Sequence, residues 1–507
     1  MNWKHGYYAD SGYTYGYYPE TTPLRLAWAA LIQGHQTPTR NFRYLDAGCG
    51  QGLSLLMMAA AHPDAEFVGI DFLPEHIAHA TELARSCGLG NVRFIEGDFV
   101  ELQKDPSSLG SFDYAVCHGI TTWIAPVVKQ ALFALIGKVL KPGGLFYNSY
   151  NTFPGWLSTA PFQHLVLLEQ RSQTGSLALK SARQSMDKLK DVATSLYGAL
   201  PGLLPRLQRM DSQDPAYLVQ EYNNQFWQPV FVSQMIDEMA AVKLSYLGTA
   251  TLPEIYDSSY VASLRELLSQ QPTPQVREQV RDFGVNQSFR RDLYVKGRSR
   301  PWQQGLQAQL KAFGIALNPE IARPDRDAAY TIKAGTIELN GEPSFYHALM
   351  DLLAAQPSGM TVGELADMAP ASRNWLGVVQ AVAMLLHGGW VVLTQDECDV
   401  QPAQRCNRVL ARAVCAGAPY RYASLPRAGG ALSTSETDFM VIAALMDGKP
   451  PNEWAAAVST CLEQLGRQVV KGGSPINDPA ARQQVIEEAV QRFKDVRLPF
   501  FRAMGAF

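Results

Sequence analysis

The sequence predicts an α/β protein built on a doubly wound parallel sheet, with a helical insertion and then a winged-helix-like and helical C-terminal region. Three observations carry this reading. Between Phe42 and Thr152, short β-branched and aromatic runs alternate with helix-length amphipathic stretches, the pattern of βα units on a parallel sheet. The first strand runs into Gly48-Cys49-Gly50-Gln51-Gly52 and directly on into a helical pattern. The next two strands each close on an acidic residue, Asp71 and Asp98.

Strands are expected at Arg43–Ala47, Glu66–Asp71, Val92–Glu96, Phe112–Cys117 and Gly144–Tyr150, with helices at Leu53–Ala61, Pro74–Cys87 and Ala125–Leu140. Lys141-Pro142-Gly143-Gly144 reads as the stop signal of the last helix. From Trp156 to about Tyr222 the pattern turns helical and polar on its off faces, as an insertion over the ligand edge of the sheet. A helix at Val230–Val242 and strands at Lys243–Leu252 and Phe289–Lys296 then complete a first domain, 1–300. In 301–400, Pro301–Gly341 reads as short strands and turns, followed by helices Ser344–Ala355, Thr361–Met368 and Trp375–His387 and the strand-like Trp390–Thr394. This is a winged-helix pattern. The remainder, 401–507, is helical (Ser435–Met446, Trp454–Val469, Ala480–Val496) and ends in the apolar Leu498-Pro499-Phe500-Phe501, expected to dock on the body.

Composition narrows the function classes. The 507 residues are 47% hydrophobic and 18% charged with a net charge of −3, which is ordinary for a globular chain and gives no general attraction to polyanions. No run approaches the ~18 apolar residues of a membrane span, and the polar, Tyr-rich N-terminus is unlike a signal peptide, so a cytoplasmic protein without membrane contact is expected. Seven cysteines without a C-x-x-C pair argue against disulfides and structural zinc. No metal is expected. Residues 341–400 carry Glu342, Asp351, Glu364, Asp367, Asp396, Glu397 and Asp399 against a single Arg373, so the winged-helix-like part is not expected to bind DNA.

The chemistry lies in the loops after the strands, where ligands of doubly wound sheets bind. Three alternate glycines between strand and helix let a ligand approach bare N–H groups at a helix N-terminus. Position 53 is Leu, so the dinucleotide pattern G-x-G-x-x-G is absent. Asp71, nineteen positions after Gly52, is placed to accept hydrogen bonds from both hydroxyls of a ribose. Asp98, followed by Phe99, is placed either to read an adenine edge or simply to cap a helix. A nucleoside with a short zwitterionic arm fits this set better than a dinucleotide.

Here the sequence resembles the class I S-adenosylmethionine-dependent methyltransferases, on a Rossmann-like sheet. The resemblance implies S-adenosylmethionine as cofactor, held by Asp46, Gly48, Gly50, Gly52, Asp71, Asp98 and Phe99, with Cys117 at the end of the fourth strand beside it. No N-P-P-Y follows that strand, which counts against a DNA adenine or glutamine acceptor. The runs Cys117-His118-Gly119, Tyr150-Asn151-Thr152 with Pro154-Gly155-Trp156, Glu221-Tyr222-Asn223, Trp227-Gln228-Pro229, Tyr246-Leu247-Gly248, Arg277-Glu278-Gln279, Asp282-Phe283 and Phe289-Arg290-Arg291 are similar to bacterial methyltransferases that carry a methyltransferase regulatory domain. Some of these methylate protein lysines. The arm Tyr17-Tyr18-Pro19-Glu20-Thr21-Thr22-Pro23 is similar too, with Thr22 where that pattern has His.

A lysine acceptor makes physical demands. At its reference pKa of ~10.4 only about 0.04% of the amine is neutral at pH 7, a cost of roughly 4.6 kcal/mol. Desolvation and a base relieve it, while aromatic rings hold the cation and its stem, each for ~0.5–2 kcal/mol. The candidate rings are Tyr13, Tyr15, Tyr17, Tyr18, Trp123, Tyr150 and Trp156, and the candidate bases are His118 and Tyr150. Each also has a plainer reading as packing or a structural hydrogen bond. The basic run Arg277, Arg281, Arg290, Arg291, Lys296, Arg298 and Arg300 is read as solvated or ion-paired surface. A protein side-chain amine is the expected acceptor; a small molecule, an RNA, or a catalytically weak binding role are the alternatives. The sequence sets no oligomeric state.

Overall fold

The structure, a computed structural model, describes residues 15–192, 194–298, 303–371, 373–395, 397–472 and 474–507. Of the residues singled out above, Tyr13, Arg300 and Asp396 lie outside these.

The chain begins with α1 (Pro23–Ile32), β1 (Arg43–Ala47), α2 (Leu53–Ala61), β2 (Glu66–Asp71), α3 (Pro74–Ser86), β3 (Val92–Glu96), α4 (Phe99–Leu102), β4 (Phe112–His118), α5 (Pro126–Val139) and β5 (Leu140–Asn151). Five insertion helices follow, α6 (Ala160–Glu169), α7 (Gly175–Val192), α8 (Thr194–Ala199), α9 (Leu203–Met210) and α10 (Pro215–Tyr222). Then come α11 (Val232–Ala241), β6 (Leu244–Thr249), α12 (Ala262–Ser269), α13 (Pro274–Gly284) and β7 (Phe289–Lys296). Together the strands make one sheet of order β3-β2-β1-β4-β5-β7-β6. The first five are parallel, and β7 runs antiparallel between β5 and β6.

Alternation along the strands sorts the core into two layers. Tyr44 packs on one face, while Leu45 and Ala47 pack on the other with Leu132, Leu135 and Ile136 of α5. The insertion has its own small core of Phe162, Val166, Met186, Leu203, Leu207 and Tyr222. The helix stops where Lys141–Gly144 was expected to stop it, at Val139, and the segment itself already belongs to β5, across a bulge with Gly143 at φ 80°.

Beyond the sheet, α14 (Gln303–Ala312) is a helix where only strands and turns were expected, and β8 (Gly314–Leu317), β9 (Tyr330–Ala334) and β10 (Ile337–Gly341) follow. The three expected helices form as α15 (Pro343–Ala354), α16 (Val362–Met368) and α17 (Trp375–His387), with β11 (Met360–Thr361) before α16 and β12 (Val391–Thr394) after α17. The strand expected at Trp390–Thr394 forms as β12, which pairs with β8, ahead of all three helices, in a sheet of order β11-β8-β12.

The last region comprises α18 (Gln401–Cys415), the hairpin β13 (Tyr422–Leu425) and β14 (Gly430–Ser433), α19 (Glu436–Met446), α20 (Trp454–Gln464), α21 (Pro479–Arg492) and α22 (Leu498–Ala503). It shares one continuous apolar core with α1 and α2. All nine residues of α2, Leu-Ser-Leu-Leu-Met-Met-Ala-Ala-Ala, are buried. An apolar helix with no polar face needs cover on both sides, and the hairpin supplies the second cover: Ser424 Oγ donates to the Met57 carbonyl at 3.2 Å, and His62 Nε2 lies 3.1 Å from the Gly429 carbonyl. The apolar C-terminus docks as expected, with Phe501 fully buried against Phe493 and Phe507. Asn407 Nδ2 donates to the Ala506 carbonyl at 3.1 Å. Replacing Phe501 by Ala is expected to lower the unfolding free energy by ~3–5 kcal/mol, the cost of emptying such a site, as measured by denaturant titration.

Candidate active site

Two adjoining cavities open at the carboxyl ends of β1, β2, β3, β4 and β5. The inner one, of about 1180 Å³, is lined by Asp46, Gly48 to Ser54, Asp71 to Leu73, Gly97 to Phe99, His118 to Ile120, Trp123, Gly16 and Tyr18, among others. The outer one, of about 1460 Å³, is lined by Glu20, Asn151, Trp156, Arg206, Arg209, Tyr217, Glu221, Phe289 and Arg291, among others. Tyr18, His118, Gly119 and Trp123 line both. This shared wall is the junction of the site.

The glycine-rich turn builds the floor of the inner cavity. Gly48, Gly50 and Gly52 all have positive φ, at 91°, 53° and 75°. A Cβ on Gly48 would lie 1.7 Å from Ile120 Cδ1, so this turn accepts no side chain. Asp71 ties the turn to the second strand: Oδ2 accepts from the Gly50 amide at 2.9 Å, while Oδ1 accepts from the Leu73 amide at 3.0 Å and lies 3.3 Å from His76 Nδ1. A carboxylate has about four acceptor sites, so the one left on Oδ2 remains for a ligand hydroxyl. Asp98 caps a helix, one of the two roles the sequence allowed, and stands at the inner cavity. Its Oδ1 caps α4 through the Val100 amide at 2.7 Å, and the residue lines the cavity with Phe99 beside it.

Asp46 tests whether the cavity suits a cationic arm. Its carboxylate is 9% exposed and has no hydrogen-bond partner among the described residues. Burial, and then the charge of Asp71, push its pKa up to about 7. A buried, unpartnered carboxylate at a glycine-lined turn fits the ammonium of an amino-acid group. The residues present therefore fit S-adenosylmethionine: Asp46 and the glycine turn for the methionine part, Asp71 for the ribose, Asp98 and Phe99 for the adenine.

The ceiling is an N-terminal strap that alternates in the manner of a strand. Gly16 and Tyr18 line the inner cavity. Tyr15 and Tyr17 face the C-terminal region: Tyr15 packs edge-on against His79 and Tyr420, and Tyr17 packs against Tyr422 while its hydroxyl accepts from the Ala431 amide at 2.8 Å. His79 also bridges Tyr420 to the Gln51 carbonyl of the glycine-rich turn, at 2.9 Å on each side. The strap's other end is fixed where Tyr44 donates to the Thr21 carbonyl at 2.8 Å.

At the junction, the His118 ring lies 4.1 Å from that of Tyr18. Its Nδ1 is 3.1 Å from both Tyr147 Oη and Ser149 Oγ. Burial lowers its pKa to about 4, so it is neutral at pH 7. Glu20 behaves oppositely. Burial works against its ionisation, but an imidazolium at His118 and the Arg291 guanidinium at 3.0 Å outweigh it and hold the carboxyl at about 2. With His118 uncharged at neutral pH, Arg291 is the lasting partner.

Two expected site residues lie elsewhere. Tyr150 is fully buried on the opposite face of β5, where its hydroxyl donates to Asp292 at 2.6 Å. It faces a buried network in which Arg290 binds Asp292, Asp282 and Glu278. Tyr150 therefore lines neither cavity. Cys117 is likewise fully buried among Leu45, Ala47 and Phe146; burial pushes its thiol up, and it contributes packing. Trp123 and Trp156 do line the cavities. The arginine run is not solvated surface throughout, since Arg281 and Arg290 are buried in ion pairs and Arg291 enters the site. Glu20, Asn151, Tyr217, Glu221 and Arg291 were not foreseen as site residues. One signal was present: Tyr217 and Glu221 are four apart, on one helix face.

Residues 38–171 match a family described as a methyltransferase domain, and residues 214–296 a predicted methyltransferase regulatory domain. The uncharacterized protein sll1526 of Synechocystis is 29% identical over 518 residues, covering 100% of both chains. The uncharacterized protein RP789 of Rickettsia prowazekii is 27% identical over 62% of this chain and 57% of its own. PKMT2 from Rickettsia typhi has a similar solved structure, with a TM-score of 0.70 at 17% identity over 96% of this chain and 99% of that one. Its complex with AdoHcy gives 0.69 at 18% identity over 97% and 99%. The fold is that of the class I S-adenosylmethionine-dependent methyltransferases, and the likeness runs through the C-terminal region as well as the sheet.

Because the folded state holds the Asp46 proton more tightly than the unfolded chain does, Asp46 weakens the fold as pH rises from ~4 to 7. Above pH 7 the loss is on the order of 4 kcal/mol. Asp46→Asn is expected to raise the cofactor-free melting temperature at pH 8 and leave it unchanged near pH 4, while abolishing S-adenosylmethionine binding. Thermal unfolding and calorimetric titration read these outcomes.

Proposed function

We propose that the protein is an S-adenosylmethionine-dependent methyltransferase whose acceptor is a lysine side-chain amine of a protein. The observation that carries this reading is the pair of cavities meeting at Tyr18, His118 and Trp123. The inner one suits the cofactor. The outer one suits a long, narrow nucleophile, because it is walled by Trp156, Tyr217 and Phe289 and reaches the surface at the exposed Arg209 and Gln213. An opening of this kind admits a side chain presented by a polypeptide.

When bound, the cofactor supplies an electrophilic methyl group on a sulfonium. The chain's own residues then do three things. Asp46, Asp71 and the glycine-rich turn hold the cofactor parts in place, and Tyr18 with the strap excludes water above them. Tyr18 and Trp123 line both cavities and so place aromatic rings beside an alkylammonium at the junction. The enclosed junction lowers the amine's affinity for its proton by desolvation, and in-line placement of the reacting atoms supplies up to ~7–11 kcal/mol of the barrier. The residues that match the regulatory-domain family furnish Glu221, Phe289 and Arg291 to the outer wall, so they belong to the site itself.

The test is calorimetric titration with S-adenosylmethionine, followed by transfer of labelled methyl to a cell extract separated into protein, RNA and small-molecule fractions. Binding, loss of binding in Asp71→Ala, and label recovered as methyl-lysine are expected. Label in RNA or metabolites would overturn the acceptor. A protein that does not bind would overturn the activity.

A further inference from the structure

The outer cavity holds two carboxylates in opposed electrostatic states. Glu20 is ion-paired with Arg291 and stays ionised. Glu221 is 2% exposed and makes no ion pair within 4 Å among the described residues. Its Oε1 accepts from Asn151 Nδ2 at 2.9 Å and its Oε2 from Tyr217 Oη at 3.2 Å. Burial pushes its pKa up; the hydrogen bond from Asn151 and the nearby charge of Arg206 offset this only in part. When environment drives two carboxyls apart in this way, acid–base roles divide between them.

Its position follows from β5. Ser149, whose hydroxyl touches His118 at the junction, and Asn151, which holds Glu221, are two residues apart on one face of the strand. Their Cα atoms are thus separated by about 6.6 Å. Glu221 and the junction residues Tyr18, His118 and Trp123 line the same outer cavity, so the carboxylate and the junction share one space.

We propose that Glu221 is the catalytic residue that takes the proton from the target ammonium, an assignment that rests on the lysine reading above. The ammonium N–H bond breaks, its proton passes to a Glu221 carboxylate oxygen, and its electron pair stays on nitrogen. That pair forms the new N–C bond as the C–S bond breaks and its electrons return to sulfur. The products are a methylated ammonium and S-adenosylhomocysteine, and the Glu221 proton leaves to solvent through the outer cavity. Other groups at the junction serve less well. His118 at about 4 is a weak base and Glu20 at about 2 is weaker still, while burial beside Glu221 keeps the Tyr217 hydroxyl protonated.

The test compares wild type with Glu221→Gln and Glu221→Asp. The initial rate of methyl-lysine formation in extract protein is followed from pH 6 to 10, with S-adenosylmethionine affinity measured alongside. Glu221→Gln keeps the size of the side chain and an oxygen acceptor. Its expected profile is a loss of ~10²-fold at pH 7 that recovers about tenfold per pH unit toward the amine's own pKa, with cofactor affinity within twofold of wild type. Glu221→Asp is expected to retain part of the rate and the wild-type profile shape. In cofactor-free protein, infrared difference spectra between wild type and Glu221→Gln are expected to show a protonated carboxyl band persisting above the ordinary carboxylate range. A Glu221→Gln profile parallel to wild type, or no such band, would overturn the assignment and leave the lysine reading standing. A wild type that binds cofactor yet forms no methyl-lysine would overturn both.

Discussion

The burial of one apolar helix organises the molecule. α2 begins at Gly52, where the cofactor turn ends, and carries no polar face at all. In a free-standing α/β domain its outer side would meet water. Here the hairpin β13–β14 and α18 close over it, and the main core runs without a break from α1 and α2 to Phe501. Exposing the outer side of such a helix would cost ~1.5–3 kcal/mol for each large side chain uncovered. The N-terminus of α2 is also the edge of the cofactor site, so the same packing that stabilises the fold sets where the glycine-rich turn can stand.

A second constraint lies at the other edge of the sheet. Arg290 is buried with three carboxylates, Glu278, Asp282 and Asp292, and with the hydroxyl of Tyr246. Removing one member of such a set typically costs 3–5 kcal/mol, because the charge left behind has no water to turn to. The network fastens β7 to α13 and draws in Tyr150 from β5, thereby fixing the strand whose next residue, Asn151, holds Glu221. Charge that is concealed in the core thus positions charge that is displayed in the cavity.

Much of the first domain was legible because its signals are local. Period-two runs and a 3.6-residue apolar stripe placed every strand of the seven-stranded sheet, and Asp71 and Asp98 could be singled out from where they stand after strands, while Asp46 came only with the family resemblance. What escaped was non-local. Glu20 and Glu221 lie two hundred positions apart and meet only through the fold. The strand at the centre of the three-stranded sheet comes from 314–317, ahead of the three helices, so the partner of the expected strand at 390–394 could not be read from its neighbours in sequence. Tyr150 failed for a simpler reason, parity: Ser149 and Asn151 face the site, and the residue between them must face away.

The strap over the inner cavity is anchored to parts of the chain four hundred residues distant. Its even positions look onto the ligand space, and its odd positions are gripped by Tyr420, Tyr422 and Ala431. One short extended segment is therefore at once the roof of one compartment and the outer wall of another. Lifting the roof means breaking that grip, so the far end of the polypeptide helps to hold the compartment closed on this side.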